Sequence, residues 1–212
     1  MSSKLSKLSS LTKTEINQLA KAILSDEIIL FPTETVYAIG GNAFSMKARK
    51  KIYELKGRDK HKPIQLLLAN LKDAEKFIDK DKLNPNILLG LRNLWPGPLT
   101  AIFPASPLGM IIGEGRTTIG IRIPNHPLAL AILKASPCPL VTTSANSSGG
   151  PEPVEYDLVP LKLQKAAKRS WIEKGKTWYR MPSTVINVMN YPVTVLRQGA
   201  LPENEIKKCL KL

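Results

Sequence analysis

The stretch from Leu140 to Gly150 reads LVTTSANSSGG and joins a short apolar run to a series of small residues. Its apolar and β-branched beginning predicts a buried strand. Directly after that strand, Ser144, Asn146 and Ser148 place hydroxyl and amide groups on a backbone with little side-chain bulk. Two interpretations fit this pattern. The segment is either a flexible Ser/Gly loop or an anion nest of N–H groups and hydroxyls that binds phosphate oxygens.

Similar polar segments follow two other predicted strands. PTETVYAIGG, residues 32–41, comes after the apolar run EIILFP, and Arg197 begins a third polar segment after the last strand. Ligands of open α/β sheets usually lie beyond the carboxyl ends of the strands. We therefore expect the three segments to meet at one binding site.

The segment Lys56-Gly57-Arg58 follows a predicted helix and adds two cations to these polar segments. A lysine supplies a point charge and an arginine supplies a bidentate fork, a combination that suits a polyphosphate. The lysines and the arginine that precede this segment, between residues 47 and 51, are interpreted as a solvated helix face.

Helix signals alternate with strand signals along the chain. Thr12 and Glu15 have the spacing of a capping box and predict a first helix that ends near Ser25. Ser45 and Asn70 are candidate N-caps of later helices. Predicted strands are EIILFP, PIQLLLAN, LTAIFP, TIGIRIP and PLVTT, with a hairpin from STVINV and VTVLR. This order predicts an α/β protein whose twisted mixed sheet is flanked by helices.

The composition fits one globular domain with a polyanionic ligand. In 212 residues, 31 Lys and Arg face 17 Asp and Glu, a net charge of +14 that favours polyanions and predicts an open basic substrate cleft. Cys138 and Cys209 lack disulfide or zinc spacing, which fits a reducing cytoplasm. No apolar run approaches the ~18 residues of a membrane span. Residues 1–11 are expected to form a disordered lead-in, and residues 12–212 a single catalytic domain.

Several common active sites are poorly supported. Gly175-Lys176-Thr177 is not a phosphate-binding P-loop, because Ser170 stands where that motif requires glycine. The two histidines, His61 and His126, have no acidic or cysteine partners nearby in the sequence, which argues against metal hydrolysis and a Ser-His-Asp triad. Hydroxyls, amides and cations remain, and these groups hold phosphates better than they abstract protons.

Seven motifs resemble those of the YrdC-like threonylcarbamoyl-AMP synthases, in particular the short bacterial form, TsaC. They span the chain from Glu27 to Gly199, and the chain ends before the additional C-terminal domain of the longer form. In order, the motifs are FPTETVYAIGGNAF, ELKGR, LWPGPLTAIFPA, IGIRIPNHPLA, PLVTTSANSSGGPEP, PSTVINV and VLRQG.

The resemblance implies an enzyme that makes L-threonylcarbamoyl-AMP and pyrophosphate from L-threonine, bicarbonate and ATP. The product would serve the N6-threonylcarbamoyladenosine modification at position 37 of tRNA. The resemblance also implies downstream tRNA threonylcarbamoyl-transfer proteins as partners. Mg²⁺ is expected as the ATP counter-ion, and the basic surface leaves open whether it serves an RNA contact, ATP capture or neither.

The family's functional residues correspond to nine positions in this sequence. Lys56 and Arg58 would be the catalytic pair. The implied ATP-binding residues are Lys56, Arg58, Thr118, Ser144, Asn146 and Arg197, and the implied threonine-binding residues are Thr35, Arg122 and Ser183.

Three features of the sequence depart from the family pattern. Asp59 replaces a proline, Ala38 replaces a glycine, and residues 171–181 lack an acidic-Gly-Gly turn.

Two other functions compete with the synthase. The first is a non-catalytic RNA-binding module of the same fold, which would use the basic surface for phosphate contacts. The second is the carbamoyl transfer of hydrogenase-maturation proteins, whose longer chains carry cysteine sets that this sequence lacks.

Overall fold

A computed structural model describes residues 11–59 and 62–210. The predicted lead-in, residues 1–11, lies outside this part of the chain except for Leu11, which packs partly buried against a core cluster. The predicted domain bounds, 12–212, stay a prediction.

The described part of the chain forms nine strands and eight α-helices, in the mixed order that the sequence predicts. The helices are α1 (Lys13–Leu24), α2 (Met46–Lys56), α3 (Leu71–Ala74), α4 (Pro85–Leu91), α5 (Pro107–Ile112), α6 (Pro127–Ala135), α7 (Leu161–Ala166) and α8 (Glu203–Leu210). Short 3₁₀ turns cover Glu75–Phe77, Lys80–Lys82 and Tyr156–Leu158.

The strands form one mixed sheet, which confirms the predicted α/β class. They are β1 (Ile29–Phe31), β2 (Ala38–Asn42), β3 (Gln65–Leu67), β4 (Leu99–Pro104), β5 (Thr118–Arg122), β6 (Leu140–Ser144), β7 (Arg169–Ser170), β8 (Thr184–Asn187) and β9 (Thr194–Arg197). Their order across the sheet is β7-β1-β2-β6-β3-β5-β4-β8-β9. The pairs β1–β7, β3–β5 and β4–β8 are parallel and the other pairs are antiparallel.

Local signals set the helix starts as predicted. The hydroxyl of Thr12 accepts from the Glu15 amide and the Glu15 carboxylate accepts from the Thr12 amide, which completes the capping box of α1. Ser45 and Asn70 accept from the third residue beyond them and cap α2 and α3. The hairpin of β8 and β9 is also confirmed.

The two faces of the sheet serve different purposes because side chains alternate along a strand. On β5, Ile119 and Ile121 enter the main apolar core, whereas Thr118, Gly120 and Arg122 point to the opposite face. A second apolar cluster, which includes side chains of α1, α6, β1 and Trp171, covers part of that opposite face. The remainder of that face lines a cavity.

Four elements were not predicted. The sequence predicts residues 32–41 as a polar segment after β1, but residues 38–42 form β2, whose Ile39 packs in the main core and whose register pairs Ala38 with Ser144. Short helices at residues 107–112 and 161–166 and the two-residue β7 also lacked a clear periodic signal. Within the described residues, no helix is long and apolar enough to cross a membrane.

Candidate anion-binding site

The cavity has a volume of about 380 Å³ and lies across strands β2, β6, β3, β5, β4 and β8. Eight of the nine predicted site residues line it, and the ninth, Thr35, does not. The eight are Lys56, Arg58, Thr118, Arg122, Ser144, Asn146, Ser183 and Arg197.

The three predicted polar segments meet at this cavity, which is lined by Thr33 after β1, Asn146 after β6 and Arg197 at the end of β9. The cavity also extends over the face of the sheet, which the sequence did not predict. Thr118 is the first residue of β5 and Arg122 the last, yet both line the cavity. Neighbouring strands in this mixed sheet often run in opposite directions, and a common carboxyl edge therefore does not exist. Alternation along each strand brings these residues together instead.

Lys56 is the last residue of α2 rather than part of an extended segment beyond it. Gly57 follows in the left-handed conformation, with a φ of 61°, and ends the helix. The Lys56 side chain is buried and its ammonium donates to the carbonyl oxygens of Ser144 and Asn146 and to Oδ1 of Asn146, the last two at 2.8 Å each. Burial, with Arg58 nearby, lowers the pKa of Lys56 to about 8.

The loop after β6 is held in one shape by the same residues. The Ser144 hydroxyl donates to Oδ1 of Asn146 at 2.7 Å, and the side-chain Nδ2 of Asn146 donates to the Gly150 carbonyl at 2.6 Å. The backbone amide of Ser148 donates to the Lys56 carbonyl at 2.9 Å. These contacts favour a fixed cavity wall over the flexible Ser/Gly loop.

Arg58 and Arg197 supply two more cations, each directed by backbone oxygens. Nη2 of Arg58 donates to the Pro63 carbonyl at 2.8 Å, and Nη2 of Arg197 donates to the Ser183 carbonyl at 2.8 Å. Burial lowers the pKa of Arg58, with Arg197 contributing in the same direction. Both guanidinium groups border the cavity with unused hydrogen-bonding capacity, because each carries five donors.

Arg122 forms a buried ion pair with Glu34, a residue that the sequence argument did not select. Nη2 of Arg122 lies 2.8 Å from Oε1 of Glu34, and the side chains are 3% and 0% exposed. Nε and Nη2 of Arg122 make no well-aligned hydrogen bond, although both are buried. Arg122 therefore borders the cavity as one member of a buried ion pair, in which Glu34 balances its charge.

Hydroxyl groups form much of the cavity floor. Thr100 donates to Oε1 of Gln65 at 2.8 Å, and its oxygen lies 2.9 Å from that of Ser183. Thr142 on β6 is fully buried and its hydroxyl has no hydrogen-bond partner among the described residues. Gln65, Thr100 and Thr142 were missed because an isolated polar residue in a strand has no motif around it.

Thr35 lies behind the cavity wall. Its side chain is fully buried, and its hydroxyl oxygen is 2.9 Å from that of Thr33, which does line the cavity. The Thr33 hydroxyl in turn donates to the Val36 carbonyl at 2.7 Å. The turn before β2 therefore presents Thr33 to the cavity and Thr35 to the interior.

Residues 171–181 pack against this turn, which shows how the edge closes without an acidic-Gly-Gly turn. The Thr177 hydroxyl donates to the Thr35 carbonyl at 2.5 Å, and the Tyr179 amide donates to the Glu34 carbonyl at 2.9 Å. The Tyr37 hydroxyl both donates to the Glu173 carbonyl and accepts from the Glu173 amide. The segment thus fixes the backbone that carries the Glu34 side chain.

Glu152 is the one acidic side chain among the described residues that line the cavity. Its Oε1 lies 3.5 Å from Nη1 of Arg197, and its Oε2 is buried without a hydrogen-bond partner. Burial raises the pKa of Glu152, while Arg197, Lys56 and Arg122 act in the opposite direction. Glu152 carries no local signal of a role in the sequence, although it stands between two prolines at the end of the PLVTTSANSSGGPEP motif.

The arrangement is suited to binding anions. Four cationic side chains surround a floor of hydroxyls. Across residues 11–59 and 62–210 there is no cluster of three or more His, Cys, Asp or Glu that could hold a metal ion. His126 is buried, caps α6 and pairs with Glu173, and it does not line the cavity.

Comparison with known proteins assigns the family. The model Sua5_yciO_yrdC, described as Telomere recombination, matches residues 21–199. The chain belongs to the Sua5/YciO/YrdC family. It is 34% identical over 195 residues to the threonylcarbamoyl-AMP synthase of Bacillus subtilis, a match that covers 91% of this chain and 56% of that protein.

Two further members of the family extend the comparison. A putative threonylcarbamoyl-AMP synthase of Methanocaldococcus jannaschii is 33% identical over 197 residues, covering 93% of this chain and 91% of that protein. The crystal structure of P. abyssi Sua5 complexed with L-threonine matches with a TM-score of 0.85 and 32% identity, covering 94% of this chain and 58% of that one. The chain therefore spans little more than half the length of the Bacillus and P. abyssi members.

Proposed function

We propose that this protein is an L-threonylcarbamoyladenylate synthase, a nucleotidyltransferase that forms threonylcarbamoyl-AMP and pyrophosphate from L-threonine, bicarbonate and ATP. The product would supply the threonylcarbamoyl modification of tRNA. Relatives at 33–34% identity over more than nine-tenths of the chain carry this name. The P. abyssi family member was crystallised with L-threonine.

The observation that carries the proposal is the meeting of four cations over one hydroxyl-rich floor. Lys56 and Arg58 come from one segment, Arg122 and Arg197 from two others, and all four border a single cavity. All the proposed substrates are anions or carry a carboxylate. The field of several cations strengthens the binding of such ligands in a partly enclosed site.

The chemistry requires positioning more than proton transfer. After bicarbonate and threonine form N-carboxythreonine, its carboxylate attacks the α-phosphorus of ATP and pyrophosphate leaves. The two reacting anions repel each other, and fixed cations reduce that repulsion while the pentacoordinate charge develops. A side-chain nucleophile is not needed.

The residue roles proposed are those that the family motifs imply. Lys56, Arg58, Ser144 and Asn146 would bind the ATP phosphates, with Lys56 and Arg58 as the catalytic pair. Lys56 also holds the Ser144–Asn146 loop, so its loss would change both charge and wall shape. Thr118 and Arg197 would contact the nucleotide.

Threonine would bind near Arg122, Ser183 and Thr35. The guanidinium of Arg122 suits the substrate carboxylate, and its ion pair with Glu34 holds it in place. Because the Thr35 hydroxyl is buried, its part in binding would pass through its contact with Thr33.

Further parts of the proposal concern the partners. Mg²⁺ would arrive bound to the ATP phosphates, where it commonly keeps several water ligands. The labile adenylate would pass to tRNA threonylcarbamoyl-transfer proteins, and a cytoplasmic location follows from that role. The net charge of +14 supports an RNA contact.

The test is pyrophosphate release from ATP, with threonine and bicarbonate each omitted in turn. We expect release only when both are present, together with a threonine-containing adenylate identified by mass spectrometry. Release that requires neither substrate would contradict the proposal. Absence of release, combined with tight and salt-sensitive RNA binding, would favour the non-catalytic RNA-binding module.

A further inference from the structure

An acidic side chain is out of place in a cavity that binds polyphosphate, yet Glu152 lines this one. Its charge opposes the approach of ATP, of bicarbonate and of the threonine carboxylate. A carboxylate in this cavity needs a cationic partner. Arg197 is one partner, but its Nη1 contact with Oε1 of Glu152 is long, at 3.5 Å.

The carboxylate of Glu152 has acceptor capacity left over. An ionised glutamate offers about four lone-pair sites, and the long contact with Arg197 occupies one of them. Oε2 has no hydrogen-bond partner and is buried. Leaving such an oxygen unsatisfied costs free energy, which a ligand that donates hydrogen bonds would recover.

The position of Glu152 is rigidly defined. Proline stands on each side of it, at positions 151 and 153, and fixes the backbone φ angles there. The Tyr37 amide donates to the Pro153 carbonyl at 2.8 Å, and the Thr177 amide donates to the Val154 carbonyl at 2.6 Å. The segment is thereby tied both to the turn before β2 and to residues 171–181.

Among the substrates proposed above, only L-threonine carries a cationic group, its α-ammonium. We propose that Glu152 binds this ammonium and accepts a proton from it. The inference rests on the proposed synthase function and adds a specificity-determining and catalytic residue to it. Lys56, Arg122 and Arg197 face the same carboxylate and compete with the substrate for it.

The proton balance gives Glu152 a defined task. One ammonium proton passes to the glutamate carboxylate and leaves a neutral amine with a free lone pair. The amine attacks the carbon of bicarbonate, a C–N bond forms, and a C–O bond breaks. The departing hydroxyl takes a second proton from nitrogen and leaves as water. Glu152 then releases its proton to solvent. Burial raises its pKa, which makes it a stronger base than an exposed glutamate.

Binding measurements with Glu152→Gln test this inference. Calorimetric titrations compare L-threonine with its α-hydroxy analogue, which lacks the ammonium. We expect the wild type to prefer threonine by about tenfold or more, and Glu152→Gln to lose that preference. ATP affinity should be unchanged or higher, because a negative charge has been removed. Glu155→Gln, three residues away and not among the cavity-lining residues, is the matched control and should behave as wild type.

The pH dependence of kcat distinguishes a base role of Glu152 from a purely structural role. The ratio of wild-type to Glu152→Gln kcat should be about tenfold or more at pH 7 and should shrink as pH rises toward the pKa of the threonine ammonium. A ratio that does not change with pH would overturn the base role. An undiminished preference for threonine in Glu152→Gln, or an equal loss of threonine and ATP binding, would overturn the binding role.

Failure of the inference and failure of the proposed function give different results. Wild-type protein that releases pyrophosphate with threonine, beside a Glu152→Gln variant that keeps the preference for threonine, contradicts the inference alone. Wild-type protein that neither binds threonine nor releases pyrophosphate contradicts both.

Discussion

Nη2 of Arg122 lies 2.8 Å from Oε1 of Glu34, and both side chains are almost completely withdrawn from water beside the cavity. The carboxylate comes from the turn between β1 and β2 and the guanidinium from the end of β5. A charge in such a place is tolerated only when it is paired, because the desolvation of an isolated ion is very unfavourable. The ion pair therefore contributes to the stability of the protein and also holds Arg122 in position beside the cavity.

Removal of one member of this pair should be costly. Glu34→Gln keeps the side-chain shape but leaves the Arg122 charge uncompensated, and we expect the free energy of unfolding to fall by about 3–5 kcal/mol. Urea denaturation measures the change. Glu27→Gln is the control, because Glu27 pairs with Lys51 at about one-third exposure and should cost less than about 1 kcal/mol. Equal effects in the two variants would contradict the prediction.

Lys56→Ala and Arg58→Ala should each lower pyrophosphate release at least tenfold while the fold survives. One lost contact to developing charge typically costs about 3 kcal/mol, on the order of 100-fold in rate. Lys50→Ala serves as the control, since Lys50 lies on the same helix with its side chain 70% exposed. Circular dichroism verifies the fold. Wild-type activity in either cavity variant would remove that residue from the site.

ATP binding should weaken as the pH rises through about 8. The pKa of Lys56 is lowered to about 8, so the side chain is charged below that pH and loses its charge above it. Phosphate affinity follows the charge and decreases in the same direction. Titration of ATP between pH 7 and pH 9.5, without threonine, measures the effect separately from the substrate ammonium. In Lys56→Arg the guanidinium stays charged, and a decrease of the same size there would assign the effect to another group.

Two glycines should respond differently to substitution by alanine. A Cβ at Gly199 would lie 2.4 Å from the Pro182 carbonyl oxygen and from the Ser183 carbonyl carbon, so backbone must move and the variant should be less stable. At Gly120 the nearest atoms are 3.8 Å away, so the fold should accept alanine. That Cβ would extend into the cavity, and ATP or threonine binding should weaken instead. Thermal unfolding and calorimetric titration separate the two effects, and the reverse pattern would contradict the prediction.

The sequence by itself determined the local structure wherever a short-range signal exists. Thr12, Ser45 and Asn70 set helix starts, because a capping hydroxyl or amide bonds to amides only a few residues away. The class of fold followed from the alternation of strand and helix patterns. The cations and hydroxyls of the site were recognisable because they stand in motifs with a resemblance to a known family.

The tertiary structure decided which residues share the cavity and which face each one takes. β2 was missed because its Gly-rich sequence has weak strand propensity, and it is held by pairing with β1 and β6. Glu34 and Glu152 had no local signal, since their significance lies in Arg122 and Arg197, which are distant in sequence. Lys56 lies 90 residues from Asn146, and only the packing of α2 beside the end of β6 brings the two together. Long-range pairing of charges depends on this packing, and a one-dimensional pattern does not contain it.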